Sequence, residues 1–160
     1  MILLAGAAAG YVQSRKLSMR VSFLEQCVRL VSALETEIRY NAGSIGELIK
    51  KHIQDSPYHS FLKNCLQNLQ RGSPFEKAWS GCVEAIPREY GLLEEDRAAL
   101  DEFGKGLGVS DTDGQVNHCK LYLGVLRDRL KDAKTEKEKK GKLYFMLGTS
   151  LGAGIVLLLC

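Results

Sequence analysis

Through most of the chain apolar positions recur every three or four residues, and at both ends that spacing gives way to unbroken apolar runs. Leu17, Val21, Leu24, Val28, Val31 and Ile38 form one stripe, widened by Leu30 and Leu34, which predicts an amphipathic helix over 17–38. Asn41 and Gly43 end it. Ser44 and Glu47 stand as cap and capping-box carboxylate of a second helix reaching Gln54. Ser56 and Pro57 open a third, with Phe61, Leu62, Cys65, Leu66 and Leu69 inward and Gly72 as its stop. "SPFE", Ser73 to Glu76, repeats the device for a fourth helix that turns Phe75, Trp79, Cys82 and Ile86 inward and closes at Pro87. A fifth begins near Glu94, its acidic start suited to a helix N-terminus, with Leu93, Leu100, Phe103 and Leu107 inward. A sixth starts at Asp111 with Val116, Cys119, Leu123, Leu126 and Leu130 on one face; it turns fully charged toward Lys140 and runs on as one rod. No window alternates with period two. The expected fold is all-α, a compact bundle of about six helices with no sheet.

The ends add a membrane anchor on each side. Residues 143–160, "LYFMLGTSLGAGIVLLLC", carry no charge and as a helix would span roughly 27 Å, enough for a bilayer. Residues 1–14 form a shorter apolar segment with neither a charged leader nor a cleavage site, so a removed signal peptide is not the reading. Either the true start lies upstream or this segment sits in thinned bilayer. Arg15, Lys16 and Arg20 follow the first run, and Lys137, Lys139, Lys140 and Lys142 precede the last. Cytoplasmic flanks collect such residues, so both face a cytoplasmic domain over 15–142. Gly6 with Gly10 and Gly148 with Gly152 give each anchor a small-residue repeat that lets helices pack closely, within one chain or between copies.

With 160 residues, one domain accounts for the middle. A net charge of +3 without a clustered basic and aromatic face argues against nucleic acid. Five scattered cysteines, at Cys27, Cys65, Cys82, Cys119 and Cys160, lack the spacing of a zinc site and fit reduced core positions. No metal, cofactor or catalytic residue is expected.

"FGKGLGVSDTDGQ", Phe103 to Gln115, invites comparison with a phosphate loop. Such a loop leaves a strand and aims a helix N-terminus at the phosphate, and here Lys105 precedes the glycines and no strand is predicted. As a calcium loop it lacks the glutamate at position twelve. The stretch is read as a helix junction: Gly104 and Gly106 allow close approach, Gly108 ends a helix, and Ser110 or Asp111 caps the next. Gly72 marks another junction. Without a converging nucleophile, base or metal set, the domain reads as a platform. Its candidate partner surfaces are Glu35, Glu37, Arg39 and Tyr40 on the first helix and Asp111, Asp113 and Gln115 at the junction. The rival readings are a membrane-tethered nucleotide-binding enzyme or sensor using Gly104 to Gly108, and a lipid or peptide binder with a pocket inside the bundle.

"ALETEIRYN" (33–41), "GSPFEKAW" (72–79), "FGKGLGVSDTDGQ" (103–115) and "EKEKKGKLYFMLGTSLG" (136–152) together resemble the stage III sporulation protein AB family, in order and spacing, over nearly the whole chain. That family is similar to the cytoplasmic helical domain of the type II secretion F inner-membrane protein. Its first span is usually longer than the one here. The resemblance implies a non-enzymatic membrane component of the channel between mother cell and forespore, lying in the mother-cell membrane with its domain in the cytoplasm. It further implies partners: the AA-type ATPase of the same operon, other membrane proteins of that operon, membrane lipid, and, as an option, further copies of itself.

Overall fold

A computed structural model describes the backbone of residues 2–40, 45–52 and 60–159, and the side chains of 12–40, 45–52 and 60–141. Six α-helices are formed among the described residues: α1 (Ile2–Tyr40), α2 (Ile45–His52), α3 (Phe61–Gln70), α4 (Phe75–Glu84), α5 (Glu94–Lys105) and α6 (Thr112–Leu159), with a 3-10 turn at Arg88–Tyr90 before α5. There is no strand among them, as the absence of period-two patterning predicts. The predicted caps at Ser44 and Ser56 and the stops at Asn41 and Gly43 lie outside the described residues, as does Cys160.

Helices α1 and α6 are the frame. They run antiparallel, tied at Glu25–Lys134 (2.8 Å) and Arg20–Glu136 (2.8 Å); α2 packs on α1 and α5 on α6, while α3 and α4 join them in series, α3 reaching α1 through Phe61 and Phe23. At 1.5 Å per residue, 39 residues of α1 and 48 of α6 extend roughly 58 Å and 72 Å. Neither helix breaks at the boundaries predicted between domain and anchors. Among the described residues no helix is long and apolar enough to cross a membrane. The apolar runs of both predicted anchors, with Gly6, Gly10, Gly148 and Gly152, lie almost wholly outside the described side chains.

The predicted stripes face the core. Leu24, Val31, Leu34, Leu62, Trp79, Leu100, Phe103, Cys119 and Leu126 are buried, and aromatic rings join the helices through the middle. Trp79 meets Phe61 and Phe103 edge-on at 6.1 and 5.9 Å and stacks on Phe75 at 5.9 Å, while Phe23 of α1 reaches Phe61 and Tyr90. Offset and edge-on pairs of this kind add to the area they bury.

Three local expectations are corrected. Ser73 does not cap α4. Its N–H bonds to the Asn68 carbonyl (3.0 Å) and that of Gly72 to Leu69 (3.0 Å), the paired bonds of a Schellman ending on α3, with Gly72 at φ 85°. Ser73 thus stands one residue before the N-cap position, which Pro74 takes with no side-chain cap bond. Leu93 points outward, 45% exposed, because it sits in extended backbone ahead of α5, outside the helical period, and donates its N–H to Asp96 at 2.9 Å. Arg20, expected as a membrane flank, is buried in the bundle.

Candidate functional site

The junction between α5 and α6 is built by close packing of its glycines. A Cβ on Gly104 would fall 1.9 Å from the Trp79 ring, whose Nε1 donates to the Leu100 carbonyl at 2.8 Å. At Gly106 it would fall 2.1 Å from His118. That ring stacks on Phe103 at 5.7 Å and its Nε2 lies 2.8 Å from the Phe103 carbonyl, which can only accept, so the proton is on Nε2. The glycines therefore admit rings of the core rather than cradle a ligand. Gly108, at φ 78°, turns the chain, and Asp111 accepts the Gly114 N–H at 2.9 Å, capping α6 as expected.

Gln115 is the correction here. Expected on the surface, it is buried and braces the loop: Oε1 accepts from Gly108 N (2.8 Å), and Nε2 donates to the Gly106 carbonyl (3.1 Å) and Ser110 Oγ (3.0 Å). An amide offers a donor and an acceptor at once, which suits it to hold a turn whose backbone groups have no helical partner. Lys105 is equally occupied. It reaches Asp101 and Glu102 at 2.8 Å each, and these hydrogen bonds, Asp101 first, push its pKa up.

The C-terminal end of α1 carries the other candidates. Glu35 pairs with Arg39 at 2.7 Å, and Glu37 binds Lys51 and lies 3.6 Å from His52 Nε2, so it ties α2 to α1. Both glutamates are half-buried. Arg39, Asp111 and Asp113 are exposed, and Tyr40 and Val109 project with 78% and 77% of their surface free.

The two groups share one end of the molecule. A Cβ on Gly108 would lie 3.7 Å from Cγ1 of Ile45, just past α1 in the chain, and Glu35 acts on Cys119, whose thiol is pushed up to about 11 by burial first and that carboxylate second. Because α1 and α6 are antiparallel, this end is opposite the one toward which both apolar runs extend.

A second polar feature is an ion-pair cluster inside the bundle. Arg20 Nε and Nη2 donate to both oxygens of Asp96 (2.7 and 3.0 Å), and Nη1 donates to Glu136 (2.8 Å). Asp96 is fully buried, and its hydrogen bond is the first cause of a raised Arg20 pKa. The sequence held a signal for it: position 20 falls on the apolar stripe, three residues after Leu17 and four before Leu24, where a solvated cation does not belong.

Among the described residues no group of histidines, cysteines and carboxylates is placed to hold a metal. Cys27, Cys65, Cys82 and Cys119 are buried free thiols. Cys65 is pushed up by its hydrogen bond to Cys82 and then by burial, and Cys27 by burial. Thiols raised in this way are poor nucleophiles, while the same Cys65 hydrogen bond lowers Cys82.

Fold and surface together define an all-helical domain clasped by two long antiparallel helices, with its exposed polar candidates gathered at one end. The family model described as Stage III sporulation protein AB matches residues 1–160, and the chain belongs to that family. It is 26% identical over 162 residues to Stage III sporulation protein AB of Bacillus subtilis (strain 168), covering 99% of this chain and 94% of that one. A solved structure titled Stage III sporulation protein AB (SpoIIIAB) has the same fold, with a TM-score of 0.68 at 22% identity over 76% of this chain and 98% of that one.

Proposed function

We propose that this sporulation protein is a non-enzymatic membrane platform of the channel complex between mother cell and forespore. The apolar runs 1–14 and 143–160 anchor it in the mother-cell membrane, and the bundle stands in the cytoplasm. Its far end receives the AA-type ATPase of the same operon and so couples that enzyme to the membrane complex. One observation carries this reading: the exposed candidates Arg39, Tyr40, Asp111 and Asp113 lie at one end, and both frame helices run toward the apolar segments at the other. A docking face held away from the bilayer is what an adaptor requires.

The test is binding of the ATPase to the full chain in nanodiscs, with the double variant Tyr40→Ala, Asp113→Lys in parallel. Both side chains are exposed, so folding is preserved. The expected result is binding by the unaltered chain and at least about tenfold weaker binding by the double variant, as for loss of a central aromatic and a charge reversal. Equal binding by both would place the contact elsewhere, and no binding by the unaltered chain would remove the adaptor reading.

A further inference from the structure

The other end of the frame carries a basic surface that the adaptor role does not use. Arg15 and Lys16 on α1, and Lys137 and Lys139 on α6, are exposed. Among the described residues none of the four meets a carboxylate, whereas nearby cations do: Lys134 pairs with Glu25, Lys140 with Glu136, and Arg20 with Asp96 and Glu136. The register set by Arg20–Glu136 and Glu25–Lys134 puts residues 15–16 of α1 opposite 140–141 of α6. The four cations therefore lie within one or two turns of each other, at the level where both helices enter their apolar runs. The fold adds a fifth. Gly91 packs so tightly on α1 that a Cβ there would lie 2.7 Å from the Lys16 carbonyl, which seats the 88–90 turn and its exposed Arg88 beside this level. The exposed carboxylates accompanying these cations are Glu89 and Glu138, with Glu94 and Glu95 between the Gly91 and Asp96 contacts to α1, so five cations face four carboxylates and the balance is narrowly positive.

Unpaired cations on a surface facing solvent gain little by gathering, since they repel one another. Facing a bilayer, each is drawn to anionic phosphate groups as long as it stays within a Debye length of them. We infer that Arg15, Lys16, Lys137 and Lys139 form a collar that binds anionic phospholipid headgroups around the two helices, so that the protein selects its lipid neighbours. This rests on the membrane reading above. Among the described residues, tying Lys134, Lys140 and Arg20 to carboxylates leaves Arg15, Lys16, Lys137 and Lys139, with Arg88 beside them, as the exposed cations at that level that no carboxylate holds.

Electron paramagnetic resonance of spin-labelled lipids around the full chain in bilayers tests it, comparing labelled phosphatidylglycerol with labelled phosphatidylcholine. The expected result is at least about threefold preference for phosphatidylglycerol in the motionally restricted shell. The preference should fall toward unity at 0.5 M salt, where screening acts over about 4 Å, and in the variant Arg15→Gln, Lys16→Gln, Lys137→Gln, Lys139→Gln. Equal restriction of both lipids, or a preference that survives the four substitutions, would overturn the collar while leaving the anchors standing. No restricted lipid of either kind would show that the chain does not enter the bilayer, and both readings would fall.

Discussion

Replacing Gly104 with alanine asks one methyl group to share space with the Trp79 indole, which is itself pinned by its bond to the Leu100 carbonyl and by three aromatic neighbours. The ring has nowhere to move. Gly104→Ala should cost about 1–3 kcal/mol or more, the usual range for overpacking. Gly81→Ala, on α4 with nothing within 4 Å of the new methyl, should be neutral or stabilising by up to about 1 kcal/mol through helix propensity. Urea denaturation of the two variants checks both signs, and equal effects would mean that the close approach at Gly104 is absent. The same residue shows how far sequence reading reaches. Three glycines in "GKGLG" announce tight backbone, but whether they cradle a ligand or admit a ring depends on Trp79 and His118, which arrive from elsewhere in the chain.

Among the elements, the decisive link is Arg20 to Asp96, which fastens the first turn of α5 to the middle of α1, with Glu136 of α6 as third member. Breaking a buried pair by removing one partner leaves an uncompensated charge and costs about 3–5 kcal/mol. Arg20→Met should show this loss in denaturant unfolding. Combining it with Asp96→Asn should recover part of it, because the amide carries no charge and its oxygen still accepts the Leu93 N–H that starts α5. A double variant as unstable as the sum of the two single ones would mean that the pair does not act as a unit. The helices themselves were legible from periodicity. Their starts were less so, since Ser73 has the form of a cap yet closes the preceding helix through its N–H, and Pro74 stands at the N-cap in its place.

At the scale of the whole molecule, the antiparallel frame predicts a long separation between its two ends. Spin labels placed through Val12→Cys on α1 and Asp113→Cys at the start of α6, both exposed, span most of the frame, since α1 rises roughly 42 Å from Val12 to Tyr40, beside which α6 begins. Double electron–electron resonance should give a distance near that value, about 40–50 Å once the labels' own reach is included. A distance below about 30 Å would mean that α1 is broken or folded back. The native cysteines of the described residues are buried, and with Cys160 replaced by serine in the same chain labelling is directed to the two new sites. The separation is also what keeps Tyr40 and Asp113 clear of a membrane surface on the proposed reading.

The sequence alone determined the all-α class, the number of helices and most of their faces, a cap for α6 at Ser110 or Asp111, and the family, because these follow from local periodicity, turn chemistry and residue order. Tertiary structure decided what local patterns leave open. Gln115 became a buried brace instead of a contact surface because Gly106, Gly108 and Ser110 turn their backbone and hydroxyl groups onto it. Arg20 went inside because Asp96, far along the chain, waits there with both oxygens. The antiparallel pairing of α1 and α6 set the exposed candidates at one end and the unpaired cations at the other. Each depends on contacts between residues distant in sequence, whose energies no short window contains.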